Sequence, residues 1–127
     1  MKAVRRAWQV LWVPMHPVQL VLGWAVWALY FVAMYASLSV TCAVRPGWAE
    51  AGATSGLNLT LLALTVLVAA GLMFWGRRCW QEAQAAGSGE VPASAVFVAR
   101  VAACVHLMAA FAVLAIGLPA ALLPACL

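Results

Sequence analysis

Charge is missing from three long stretches of this chain. No Lys, Arg, Asp or Glu lies between Ala7 and Val44, between Ala51 and Gly76, or between Val101 and Leu127. Each stretch can hold the ~20 apolar residues that cross a hydrocarbon layer ~30 Å thick. Only 8% of the 127 residues are charged and 68% are hydrophobic, whereas soluble domains carry about 25% charged residues. A water-soluble fold of this length has no means of covering such a core. The expected fold is an all-α integral membrane protein, with three transmembrane helices preceded by a short interfacial amphipathic helix.

The boundaries follow from punctuation. Residues 1–13 are the interfacial helix, with Val4, Trp8, Leu11 and Trp12 on one face and Arg5, Arg6 and Gln9 elsewhere. Pro14 interrupts it. His16 and Pro17 suit the cap and first turn of span one, expected over 17–41. Cys42 to Gly56 reads as a loop with Pro46, Gly47, Trp48 and Gly52. Span two is expected over 57–76, ending at Arg77 and Arg78 with Phe74, Trp75 and Trp80 as an aromatic belt. Gln81 to Pro92 reads as a second loop. Span three is expected over 93–123, with Pro119 bending it near its end. Residues 1–127 thus form a single membrane domain. Lys2, Arg5 and Arg6 resemble the head of a secretory signal, but the apolar run behind them exceeds 7–15 residues, so an uncleaved first helix is expected.

The cations set an orientation. Lys2, Arg5, Arg6, Arg77 and Arg78 flank one side, and Arg45 lies in the opposite loop. The positive-inside rule then places the N-terminus in the cytoplasm and the C-terminus outside, in the periplasm of a bacterial inner membrane. Flanking roles account for these cations, and no recognition motif accompanies them, so nucleic acid is not an expected partner. Arg100 either snorkels to the cytoplasmic interface or meets a polar partner within a bundle.

Cys42 and Cys126 fall at the outer ends of spans one and three, which run in the same direction. An oxidising outer compartment would join them as a Cys42–Cys126 disulfide; unpaired small residues and a copper-binding pair are the alternatives. Cys79 is expected on the cytoplasmic side. Cys104 is expected to be buried as a packing residue. His16, Gly23, Tyr30 and Ser37 recur at seven-residue spacing in span one, with Leu20, Trp27, Met34 and Thr41 four residues behind each. Span three has a narrow face of Ala99, Ala102, Ala103, His106, Ala110, Val113 and Gly117. Small and polar residues at such spacing mark helix-packing faces.

His16 and His106 are the candidate metal or haem ligands, since imidazole binds iron and copper. Axial counting places them about 9 Å apart along the bundle, which disfavours a shared haem. No metal site and no resident cofactor are otherwise expected, haem or copper being the alternative. The only acids are Glu50, Glu82 and Glu90, all in expected loops. No Walker loop, haem-attachment motif or paired carboxylate is present, so no catalytic residue is assigned and the chain is not expected to be an enzyme.

The run from His16 to Val44, HPVQLVLGWAVWALYFVAMYASLSVTCAV, resembles the first span of small bacterial membrane proteins that accompany haem–copper terminal oxidases. The ending GLPAALLPAC, Gly117 to Cys126, is similar as well. That resemblance implies a small subunit or assembly helper of a respiratory complex. Elimination leads to the same class: a non-catalytic accessory factor of a larger inner-membrane complex, with other integral membrane subunits and lipids as partners. The alternatives are a haem- or copper-handling protein using His16, His106 and Cys42, and an oligomeric small membrane carrier.

Overall fold

The computed structural model describes residues 1–44, 56–87 and 89–123. These contain four helices: α1 (Lys2–Leu11), α2 (Val18–Val44), α3 (Gly56–Ala86) and α4 (Ala93–Leu122). No strand occurs among the described residues. Helices α2, α3 and α4 have 27, 31 and 30 residues, or roughly 40 to 46 Å at 1.5 Å per residue. All three are long and apolar enough to cross a membrane. Arg45, Pro46, Gly47, Trp48, Glu50 and Gly52 of the first loop lie outside the described residues, as does Cys126.

One boundary differs substantially from expectation. Helix α3 continues ten residues past Gly76, through RRCWQEAQAA. The apolar run stops at Arg77, but Arg, Gln, Glu and Ala are strong helix formers. Loss of hydrophobicity therefore ends the candidate span without ending the hydrogen-bond ladder. Gly87 closes the helix, its N–H donating to the Gln84 carbonyl at 3.3 Å. Pro92 opens α4, its carbonyl accepting from the N–H of Ala95 at 2.9 Å. Helix α4 runs through Pro119, which has no N–H to offer the carbonyl of Ala115.

The contacts form two compact units, Met1–Ala25 with Leu72–Ala109 and Val26–Gly71 with Ala110–Leu127. In the first, Cys79, Ala102 and Ala103 form a small core against Leu20 and Trp75. In the second, Tyr30, Met34, Leu61, Ala69, Ala110 and Val113 are buried.

On α4, side chains are sorted by size more than by polarity. Ala99, Ala102, Ala103, His106, Ala109, Ala110 and Val113 of α4 are buried. Phe97, Met108 and Phe111 are 67%, 73% and 73% exposed. Close backbone approach favours Ala and Gly between helices. Cys104, expected to be buried, is exposed. It lies one residue beyond the small face of α4, in a helix that is apolar all round.

Candidate functional site

Each unit holds a polar contact between helices. In the first unit, Gln19 of α2 is fully buried. Its Oε1 accepts a hydrogen bond from Trp75 Nε1 of α3 at 2.7 Å. Trp12, just past α1, meets the Trp75 ring edge-on with centroids 5.2 Å apart. Trp75, expected in an interfacial belt, therefore joins three helical segments of its unit. Beside it, two glycines let α4 come close. A Cβ on Gly23 would lie 2.9 Å from Val105 Cγ1. A Cβ on Gly76 would lie 3.3 Å from the Ala103 carbonyl and 3.3 Å from His106 Cβ.

In the second unit, Thr65 Oγ1 lies 2.7 Å from the Leu61 carbonyl and 2.8 Å from the Tyr30 hydroxyl. A threonine has one proton to donate. Thr65 gives it to Leu61, so Tyr30 O–H donates to Thr65. Gly117 of α4 faces this pair, and a Cβ there would run into both Thr65 and the Tyr30 hydroxyl. Asn58 Nδ2 donates to the Leu123 carbonyl at 3.2 Å, which satisfies a C-terminal carbonyl of α4. Asn58 heads the sequence Asn58-Leu59-Thr60 and is buried.

The seven-residue series on α2 divides by role. His16, half-buried, accepts the Val18 N–H on Nδ1 at 3.3 Å, in the manner of a helix cap. Gly23 and Tyr30 meet other helices. Ser37 instead donates to the Ala33 carbonyl of its own helix at 2.6 Å. On α4, Ala103 and His106 belong to the first unit and Ala110 and Gly117 to the second; all four are buried. Arg100 is exposed, so no partner within its unit encloses it.

The two histidines are not brought together. Gly23 lies level with His106, the backbone N of His106 being 3.6 Å from a Cβ placed there. His16 precedes Gly23 by seven residues, about 10 Å of helical rise. His106 Nδ1 lies 2.8 Å from the Ala102 carbonyl; a carbonyl only accepts, so this nitrogen carries the proton. Both imidazoles are thus committed to helix backbone through Nδ1. Among the described residues, no group of three His, Cys, Asp or Glu could hold a metal ion. The free thiols among these residues are Cys79 and Cys104.

Outside these contacts the surface is apolar. Trp27, Phe31 and Tyr35 stack along α2 with centroids 5.8 and 4.5 Å apart. Next to them is an open groove of about 270 Å³ lined by Met34, Tyr35, Leu38, Ile116, Pro119 and Leu123. Sequence reasoning missed Gln19, Thr65 and the packing roles of Asn58 and Trp75. The available signal was a lone amide or hydroxyl inside an apolar helix, which must find an acceptor or donor within the protein. Compared with known proteins, the chain matches no family model, no curated sequence and no solved structure.

Proposed function

We propose that this chain is a multi-pass protein of a bacterial inner membrane, acting without catalysis as a small subunit or accessory factor of a larger complex, a respiratory oxidase being the favoured partner. One observation carries the proposal. The polar side chains within the helices pair locally, Tyr30 with Thr65 and Gln19 with Trp75, while bulky apolar side chains face outward. Polar groups consumed in packing hold a scaffold together, and an apolar exterior is suited to lipid and to other membrane helices. The ring row on α2 and its neighbouring groove are surfaces on which a foreign helix could pack. A cytoplasmic N-terminus and a periplasmic C-terminus belong to this proposal, supported by the cations Lys2, Arg5, Arg6, Arg77 and Arg78, as does a Cys42–Cys126 disulfide in the oxidising outer compartment.

Affinity purification in mild detergent, followed by mass spectrometry, tests this function. Co-migration with oxidase subunits is the expected result. A chain that travels alone, or only with copies of itself, refutes the accessory role; the homo-oligomer would favour a carrier.

A further inference from the structure

We infer that α1 is a docking element for an anionic phospholipid surface, with the phosphate headgroups as its partner. This rests on the membrane placement proposed above and adds the class of lipid that the N-terminal unit takes. Helix α1 reads KAVRRAWQVL, with three cations and no acid. At 100° per residue, Lys2, Arg5, Arg6 and Gln9 fall within about 100° of its circumference, with Val4 and Trp8 outside that arc. Val4 is 61% and Trp8 59% exposed, so their unit leaves these apolar side chains uncovered. A basic amphipathic helix of this kind lies in the headgroup plane, its apolar side entering the acyl boundary.

Charge complementarity identifies the lipid. The first unit holds Lys2, Arg5, Arg6, Arg77, Arg78 and Arg100, six of the seven cations, against Glu82 and Glu90. Arg77 and Arg78 are exposed, and the Arg78 guanidinium sits 6.0 Å from the centre of the Phe74 ring. The helix is also fastened. Trp12 against Trp75, and Trp75 to Gln19, tie its far end to α2 and α3. A tethered helix meets the surface at high effective concentration and loses less freedom on docking.

The test uses the full chain in nanodiscs of phosphatidylcholine, with and without phosphatidylglycerol, and follows amide hydrogen exchange by mass spectrometry. The expected result is slower exchange in α1 when phosphatidylglycerol is present. High salt should abolish the slowing, because charges are screened beyond ~3 Å at 1 M. Each of Lys2→Gln, Arg5→Gln and Arg6→Gln should reduce it about fivefold, and the triple variant should lose it. Equal exchange of α1 in both lipids, or slowing that survives in the triple variant, overturns the inference. Helices α2 to α4 serve as the internal reference. If they are protected while α1 is unresponsive, the lipid docking alone fails; if they too exchange freely, the membrane placement fails with it.

Discussion

Gly117 is where a single methyl group should do the most damage. A Cβ at this position collides with Thr65 and with the Tyr30 hydroxyl. Relief requires α4 to move away or the Tyr30–Thr65 hydrogen bond, 2.8 Å long, to break. Overpacking a close contact costs about 1–3 kcal/mol. An interhelical hydrogen bond between membrane helices is worth roughly 0.6 kcal/mol and at most about 1.7. Alanine recovers up to about 1 kcal/mol of helix propensity over glycine. The net expectation for Gly117→Ala is a loss of about 1–3 kcal/mol, read as a lower unfolding midpoint in a denaturant titration in dodecyl maltoside. Gly71→Ala is the matched control, because a Cβ there meets nothing within 4 Å; it should be neutral or stabilising. In a Tyr30→Phe, Thr65→Ala background the obstructing atoms are gone, and Gly117→Ala should then cost less than about 0.5 kcal/mol. If Gly117→Ala is as stable as Gly71→Ala, or costs the same in both backgrounds, the close approach at Gly117 is not what holds these helices together.

Gly23→Ala should be milder, a loss of about 1 kcal/mol, because its Cβ would meet a single atom inside 3.0 Å, Val105 Cγ1 at 2.9 Å, though that β-branched side chain is stiff in a helix and yields little; thermal unfolding in detergent reads the difference. Gln19→Leu should remove the acceptor of Trp75 Nε1 and lower stability by roughly 1 kcal/mol, with a shift in tryptophan emission; an unchanged spectrum and midpoint would dismiss the contact. Alkylation of the denatured but unreduced protein should modify Cys79 and Cys104 only, and reduction should add Cys42 and Cys126; modification of Cys42 in the unreduced protein would disprove the disulfide. On reduced intact cells, a membrane-impermeant maleimide should label Cys126 and leave a Gln84→Cys variant unlabelled at that exposed position, Cys79 being buried; the reverse pattern would invert the proposed orientation.

The number and kind of elements were legible in the sequence, because a stretch without charge long enough to cross a bilayer has few other uses. The end of α3 was not. Arg77 and Arg78 mark where the apolar character stops, but RRCWQEAQAA is rich in strong helix formers, so the helix outlasts the span. Facing was legible where helical spacing brought small residues onto one side, and at Tyr30 and His106, which share those faces and are buried. Gly23, Ala103, Ala110 and Gly117 recur on narrow faces, and small residues there have a geometric purpose. Cys104 carries no such mark, since a helix apolar all round hides which side is inward. Gln19 and Thr65 were readable in principle as lone polar groups in apolar surroundings. Their partners were not, because pairing α2 with α3 across 56 residues (Gln19 to Trp75) depends on the register of two helices.

Sorting by girth has an evolutionary consequence. In a water-soluble protein, exchanging leucine for phenylalanine is risky inside and conspicuous outside. Under the membrane placement proposed above, the outward positions of α4, such as Phe97, Met108 and Phe111, should drift freely among bulky apolar types. Ala99, Ala102, Ala103 and Ala110 should admit little beyond glycine and serine. The lineage's memory of this architecture would then reside in its smallest residues, and a search for distant kin should weight alanine and glycine positions above the leucines and valines that make up most of the sequence's apparent character.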